Sequence, residues 1–221
     1  KILAKEHLLF PILNEIYHTK IQYAYTNPKV DIEATIKVFK ENQKQHYRED
    51  QLNIVYAKIR QTLSDITYRG EVIDFQTILK ETLAEHNIDI NESLSFKSLY
   101  QLMKIVSISA FVTNDYLKIE SFLLDTYEAI QHRKTKDNQL YYHIEVLYII
   151  ANTLFRNKKF EESMSYLEKM RGYMIQNKNK HYNTFKLKYH LLLGLNYNYY
   201  NQQVKAIQLL DQFKINKHPD I

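Results

Sequence analysis

The stretch that decides the fold is residues 140–174, LYYHIEVLYIIANTLFRNKKFEESMSYLEKMRGYM. Its first part sets Leu147, Ile150, Ala151 and Leu154 at i, i+3, i+4 and i+7, which is one face of a helix. Its second part does the same with Phe160, Ser163, Met164, Leu167 and Met170. The polar link Arg156-Asn157-Lys158-Lys159 between them is too short for anything but a tight turn, so the two helices fold back on each other. A small residue at Ala151 opposite another at Ser163 lets two helix backbones approach closely.

The pattern recurs outward from this hairpin. Near the end of the chain Gly194, in LLLGLNY, stands opposite Ala206, in VKAIQLL, at the same internal spacing of 12 residues. Backwards, Ser107 pairs with Ile119 and Leu63 with Phe75. The anchors Leu63, Ser107, Ala151 and Gly194 lie 44, 44 and 43 residues apart. A steady period with diverged residues predicts stacked hairpins, each burying one face on its predecessor.

The remaining helices are placed by apolar periodicity and by punctuation. A first helix spans 1–25, with Ile2, Leu3, Leu9, Ile12, Leu13, Ile16 and Tyr17 as its apolar side and a kink or true start near Phe10 imposed by Pro11. Asn27 is expected to cap a second helix over 28–46, with Pro28 at its first position and Ile32, Ile36, Val38 and Phe39 inward. A third helix, 49–68, is expected to bury Ile54, Val55, Ile59, Leu63 and Ile66, and a fourth spans 72–85. The longest polar link, 86–95, ends in Ser93 and Ser95, either able to cap the next helix. Helices over 96–112 and 116–131 turn at Thr113-Asn114-Asp115, and the last pair covers 182–200 and 202–215. The expected fold is all-α: a right-handed superhelical stack of about five antiparallel hairpins in one domain, 1–221.

Composition excludes several alternatives. Three Gly and three Pro in 221 residues are too few for a sandwich or barrel, which turns every ten residues or so. No cysteine is present, so there is no disulfide framework and no thiolate site. No apolar run approaches the roughly 20 residues of a membrane span, and no signal-peptide pattern opens the chain; a cytoplasmic location without membrane insertion is expected. The chain starts on Lys1, already in helical pattern, as a piece of a longer protein would. Residues 1–110 carry 14 basic and 14 acidic side chains, residues 111–221 carry 16 and 11, so the positive charge lies in the second half. That half is the candidate for an acidic partner.

Over residues 140–213 the small anchors, their spacing to Ser163 and Ala206, and the large residues Leu154 and Tyr197 three positions after the anchors resemble tetratricopeptide repeats. Upstream the likeness thins, with Leu63 and Phe75 where the family has small residues, and the family's closing proline is missing throughout. The period exceeds the family's usual 34, similar to the lengthened repeats of bacterial regulators that sense short peptides.

The resemblance implies a protein- or peptide-binding scaffold whose first helices line the binding surface. It carries that role to Arg60, Ser64 and Thr67; to Lys104, Ile108 and Phe111; to Tyr148, Asn152, Phe155 and Arg156; and to Lys188, Leu191, Leu195, Asn198 and Tyr199. The peptide-binding set is Arg60, Lys104, Tyr148, Asn152, Arg156, Lys188, Asn198 and Tyr199. Asn152 is singled out because a primary amide offers a donor and an acceptor to one peptide unit. The cations suit acidic side chains or a terminal carboxylate, although Ile108 and Leu195 stand where the family's carboxylate clamp needs Asn. A second reading, also from the resemblance, is the sensing domain of a transcription regulator with its DNA-binding part upstream.

Catalysis finds no support in the residues. No HExxH pair exists, His143 and Glu145 are wrongly spaced for two ligands on one helical face, and the three glycines are isolated. Glu161-Glu162 reads as a first-turn pair favoured by the helix dipole. No cofactor and no metal are expected, and nucleic acid is not the expected partner: the tyrosines and the basic links 132–136, 178–181 and 214–218 read as packing residues and solvated loops. Val204, Ile207 and part of Leu209 lie off the inner stripe of the last helix (Ala206, Leu210 and Phe213), so self-association or further sequence is expected at that end.

Overall fold

A computed structural model describes residues 1–69, 75–88, 95–132 and 139–212. They form eleven α-helices and one 3-10 turn, with no strand among the described residues. The chain gathers into two compact units, Lys1–Glu92 and Ser93–Ile221, and the change falls within the longest polar link.

The first unit contains α1 (Ile2–Glu6), α2 (Phe10–Gln22), a 3-10 turn (Ala24–Thr26), α3 (Ile32–Arg69) and α4 (Phe75–Glu85). Pro11 sits in the first turn of α2, where its missing N–H leaves no bond unmade. The two helices expected over 28–46 and 49–68 are one 38-residue helix, α3. The run from Lys40 to Gln51 is polar but for Tyr47, holds no Gly or Pro and is rich in Glu, Gln, Lys and Arg, which are good helix formers. Polarity there marks water around the helix and no break in it.

The cap also differs from expectation. Asp31 Oδ1 accepts from the Ala34 N–H at 3.0 Å and starts α3, whereas Asn27 Oδ1 accepts from the Lys29 N–H at 3.1 Å and closes a turn over Pro28.

α3 serves two neighbours in succession. Its first half packs on α2, with Phe39 against Leu13, Tyr17 and Ala4. There Asn42 donates to the Phe10 carbonyl at 2.9 Å and to Asn14 Oδ1 at 2.7 Å, and the Asn14 amide donates to His46 Nδ1 at 3.0 Å. Its second half buries Leu52, Val55 and Ile59 against α4, which contributes Leu79 and Leu83. Each half has one packing partner, so only one narrow stripe is covered. Ile32, Val38 and Ile54, expected inside, are exposed for that reason; Ile2, Leu3, Leu9 and Ile12, earlier in the unit and also expected inside, are exposed as well.

The second unit follows the expected helix bounds within a residue or two, save the end of the last helix, expected at 215 and described only to 212: α5 (Phe96–Thr113), α6 (Leu117–Gln131), α7 (Leu140–Arg156), α8 (Phe160–Met174), a short unexpected α9 (Gln176–Asn179), α10 (Tyr182–Tyr199) and α11 (Gln203–Gln212). Ser95 caps α5, its Oγ accepting from the Ser98 N–H at 3.1 Å. Asn114 (φ 52°) and Lys158 (φ 62°) take the left-handed conformation that turns the chain after α5 and α7.

α7 is the centre of this unit. It packs against α5, α6, α8 and α10, and Ile144, Leu147, Ile150, Ala151 and Leu154 are wholly out of water. Burial of each large aliphatic side chain contributes roughly 1.5–3 kcal/mol. The expected close approach of α7 and α8 is present: Ser163 Oγ donates to the Ala151 carbonyl at 2.8 Å, with both residues buried.

The equivalent approach at Gly194 is looser than expected. A Cβ there would meet Leu209 Cδ2 at 3.9 Å, an ordinary contact, so no glycine is required. α11 turns Ala206 and Leu209 inward, and Leu210, expected inside, is half exposed; Val204 and Ile207 face out as expected. At the earlier anchor Ile119 is buried and Ser107 half-buried. The side chains of Leu63, Ile66, Thr67 and Phe75, and the basic links at 133–138 and 213–221 with Phe213, lie outside the described residues.

A clasp recurs between successive hairpins. Glu120, in the first turn of α6, accepts from Lys159 Nζ at 2.5 Å and from Asn157 Nδ2 at 2.7 Å. Glu161, in the first turn of α8, accepts from the Tyr200 hydroxyl. The Lys159–Glu120 and Tyr200–Glu161 ties both reach back 39 residues.

Candidate functional site

The first helices of the three hairpins, α5, α7 and α10, are neighbours through α7. At one end of the face they form, Tyr100 of α5 lies 5.8 Å from the Tyr142 ring of α7, which meets Tyr141 edge-on at 5.5 Å. The Tyr141 hydroxyl donates to Glu145 Oε1 at 3.3 Å, and Lys188 Nζ of α10 donates to the same oxygen at 2.7 Å. Lys188 also lies 5.2 Å from the centre of the Tyr148 ring.

Tyr148 and Lys188, both named from the sequence, are thus brought together around a carboxylate the sequence reading passed over. The signal was present. Glu145 and Lys188 stand 43 residues apart, the same interval as Ala151 and Gly194, so they occupy equivalent positions in successive hairpins.

The electrostatics follow from burial. The Glu145 side chain is only 7% exposed while that of Lys188 is 44% exposed, so the pair anchors a buried charge to a half-solvated one. Burial pushes the Tyr148 hydroxyl above its ordinary range, with the Lys188 charge opposing the shift. Burial, and then the Glu145 charge, raise Tyr141.

At the other end, Phe155 of α7 meets Tyr199 of α10 edge-on at 5.6 Å, and Phe160 of α8 stacks on Tyr199 at 6.4 Å. Arg156 turns toward α6, its guanidinium 5.7 Å from the Tyr116 ring. Lys104 lies over Tyr100 of its own helix at 5.5 Å. Asn198 is exposed beside Tyr199. Arg60 is exposed on α3, which belongs to the other unit.

Asn152 lies between the two ends, half-buried, and its amide has no hydrogen-bond partner among the described residues. On the flanking helices Ile108, Phe111, Leu191, Leu195 and Tyr199 leave large apolar surface in water, Phe111 at 72% exposure. Water-facing aliphatic and aromatic side chains beside a free amide can bind a chain segment; they supply neither nucleophile nor base.

His143 is packed into the core of the second unit. It is buried between Phe96 and Tyr173, ring centres 4.2 Å away on either contact, with Nε2 in a hydrogen bond of 3.0 Å with the Tyr127 hydroxyl. Burial lowers its pKa to about 4. Among the described residues no group of His, Asp and Glu is placed to hold a metal ion, and no helix is long and apolar enough to cross a membrane.

These features define an all-helical protein with a mixed apolar and polar face on the hairpins of its second unit. No protein-family model, curated protein or solved structure matches the chain.

Proposed function

We propose that the second unit is a non-catalytic scaffold that binds a protein or peptide segment across α5, α7 and α10, in the manner of tetratricopeptide repeats. One observation carries this reading. Exposed apolar side chains (Ile108, Phe111, Leu191, Leu195, Tyr199) stand on α5 and α10, the neighbours of α7, which carries Asn152, and the Asn152 amide has no partner among the described residues. Apolar surface gathered in this way marks interaction sites more often than scattered exposure does. A primary amide at its centre offers an extended backbone one donor and one acceptor. Lys188 contributes through Glu145 as a positioning group, leaving Lys104 as a cation on offer.

Peptide-display selection against the full chain tests it. Selected peptides should bind at least tenfold more weakly to Phe111→Glu plus Leu195→Glu, whose positions are exposed and whose fold should be intact by circular dichroism. Equal binding by parent and variant would place recognition elsewhere and overturn the reading.

A further inference from the structure

The first unit holds a cavity of about 250 Å³ where α2, the link before α3 and the first turns of α3 meet. Lys1, Lys20 and Lys29 line it, with Asp31 as the acidic lining residue. None of the three ammonium groups has an acidic partner among the described residues. Asp31 is already engaged, its Oδ1 accepting from the Ala34 N–H at the start of α3. The Lys1 ammonium lies 5.0 Å from the centre of the buried Tyr17 ring. Its pKa is lowered by burial first, and then by the charges of Lys20 and Lys5.

Three ammonium groups against the single Asp31 carboxylate leave the concavity net positive, and a walled cleft concentrates that field. Ammonium groups act as point charges, which suit a phosphate; the lining has no guanidinium fork to select a planar carboxylate. The lining also holds apolar side chains, Val30, Ala34 and Val38. We infer that this cavity binds a small phosphomonoester, the phosphate among Lys1, Lys20 and Lys29 and the carbon portion against Val30, Ala34 and Val38. The site is independent of the α5–α7–α10 face.

Titration calorimetry on the full chain with inorganic phosphate and with butyl phosphate tests this. The ester should bind more tightly than phosphate alone, and added salt should weaken both. Lys20→Ala plus Lys29→Ala should lose about tenfold or more in affinity, since each ammonium contributes a charge-assisted bond. Both side chains are exposed, so circular dichroism should show an unchanged fold, and Lys180→Ala in the other unit should bind as the parent does. Co-sedimentation with phosphatidic-acid vesicles would identify a lipid headgroup as the ligand's source; binding of the soluble ester without vesicle capture would identify a free metabolite, and either supports the pocket. Absence of saturable binding, or equal affinity in the double variant, overturns it.

Discussion

The Ser163 hydroxyl donates to the carbonyl of Ala151 at 2.8 Å across the closest approach of α7 and α8. The contact needs a residue small enough to admit the facing backbone and polar enough to reach it. Ser163→Ala keeps the first property and should cost about 1 kcal/mol in urea denaturation. Ser163→Leu loses both and should cost more, with about 1–3 kcal/mol from overpacking alone. Equal losses would mean that the approach is not tight.

Gly194 is predicted to behave in the opposite way. A Cβ there finds only ordinary contact with Leu209, and the residue lies inside α10. Gly194→Ala should therefore stabilise the protein by roughly 0.5–1 kcal/mol through helix propensity. A lower thermal midpoint would show that α10 and α11 need the glycine after all.

Much of the second unit was legible in the sequence because its punctuation is local. Ser95 caps α5, Asn114 and Lys158 take left-handed turns, and the stripe through Leu147, Ala151 and Leu154 is the one buried. The first unit was less legible. A polar run looks alike whether it is a loop or the middle of a helix, and here the helix formers between Lys40 and Gln51 carry α3 through. The site was legible as stripes of positions and illegible as contacts: Glu145 holding Lys188, and Glu120 and Glu161 clasping the following hairpin, depend on which helices become neighbours.

His143 predicts a pH dependence. It is buried and neutral, with a folded pKa near 4 against an unfolded value near 6.5. A depressed folded pKa means its stabilising contribution is complete above pH 6.5 and is lost as pH falls toward 4. At about 1.36 kcal/mol per unit, stability at pH 5 should be about 2 kcal/mol below that at pH 7.5. His143→Gln should be less stable at neutral pH but lose less on acidification. The same acid slope in parent and variant would assign the loss to other groups.

Glu145 and Lys188 should be coupled. Lys188→Met leaves a nearly buried carboxylate with only the Tyr141 hydroxyl, and Glu145→Gln removes that charge. Lys188→Met should cost about 1–2 kcal/mol, discounted because its ammonium is partly solvated. The double variant should recover part of it. Strict additivity in the cycle would show that the pair contributes nothing.

The proposed binding face is made by α5, α7 and α10 together. Amide hydrogen exchange on the full chain, with and without a selected peptide at saturation, tests it most directly. Protection should increase around Phe111, Asn152 and Leu195, with little change in α6, α8 and α11. Protection confined to α6, α8 and α11, with these three helices unchanged, would contradict it.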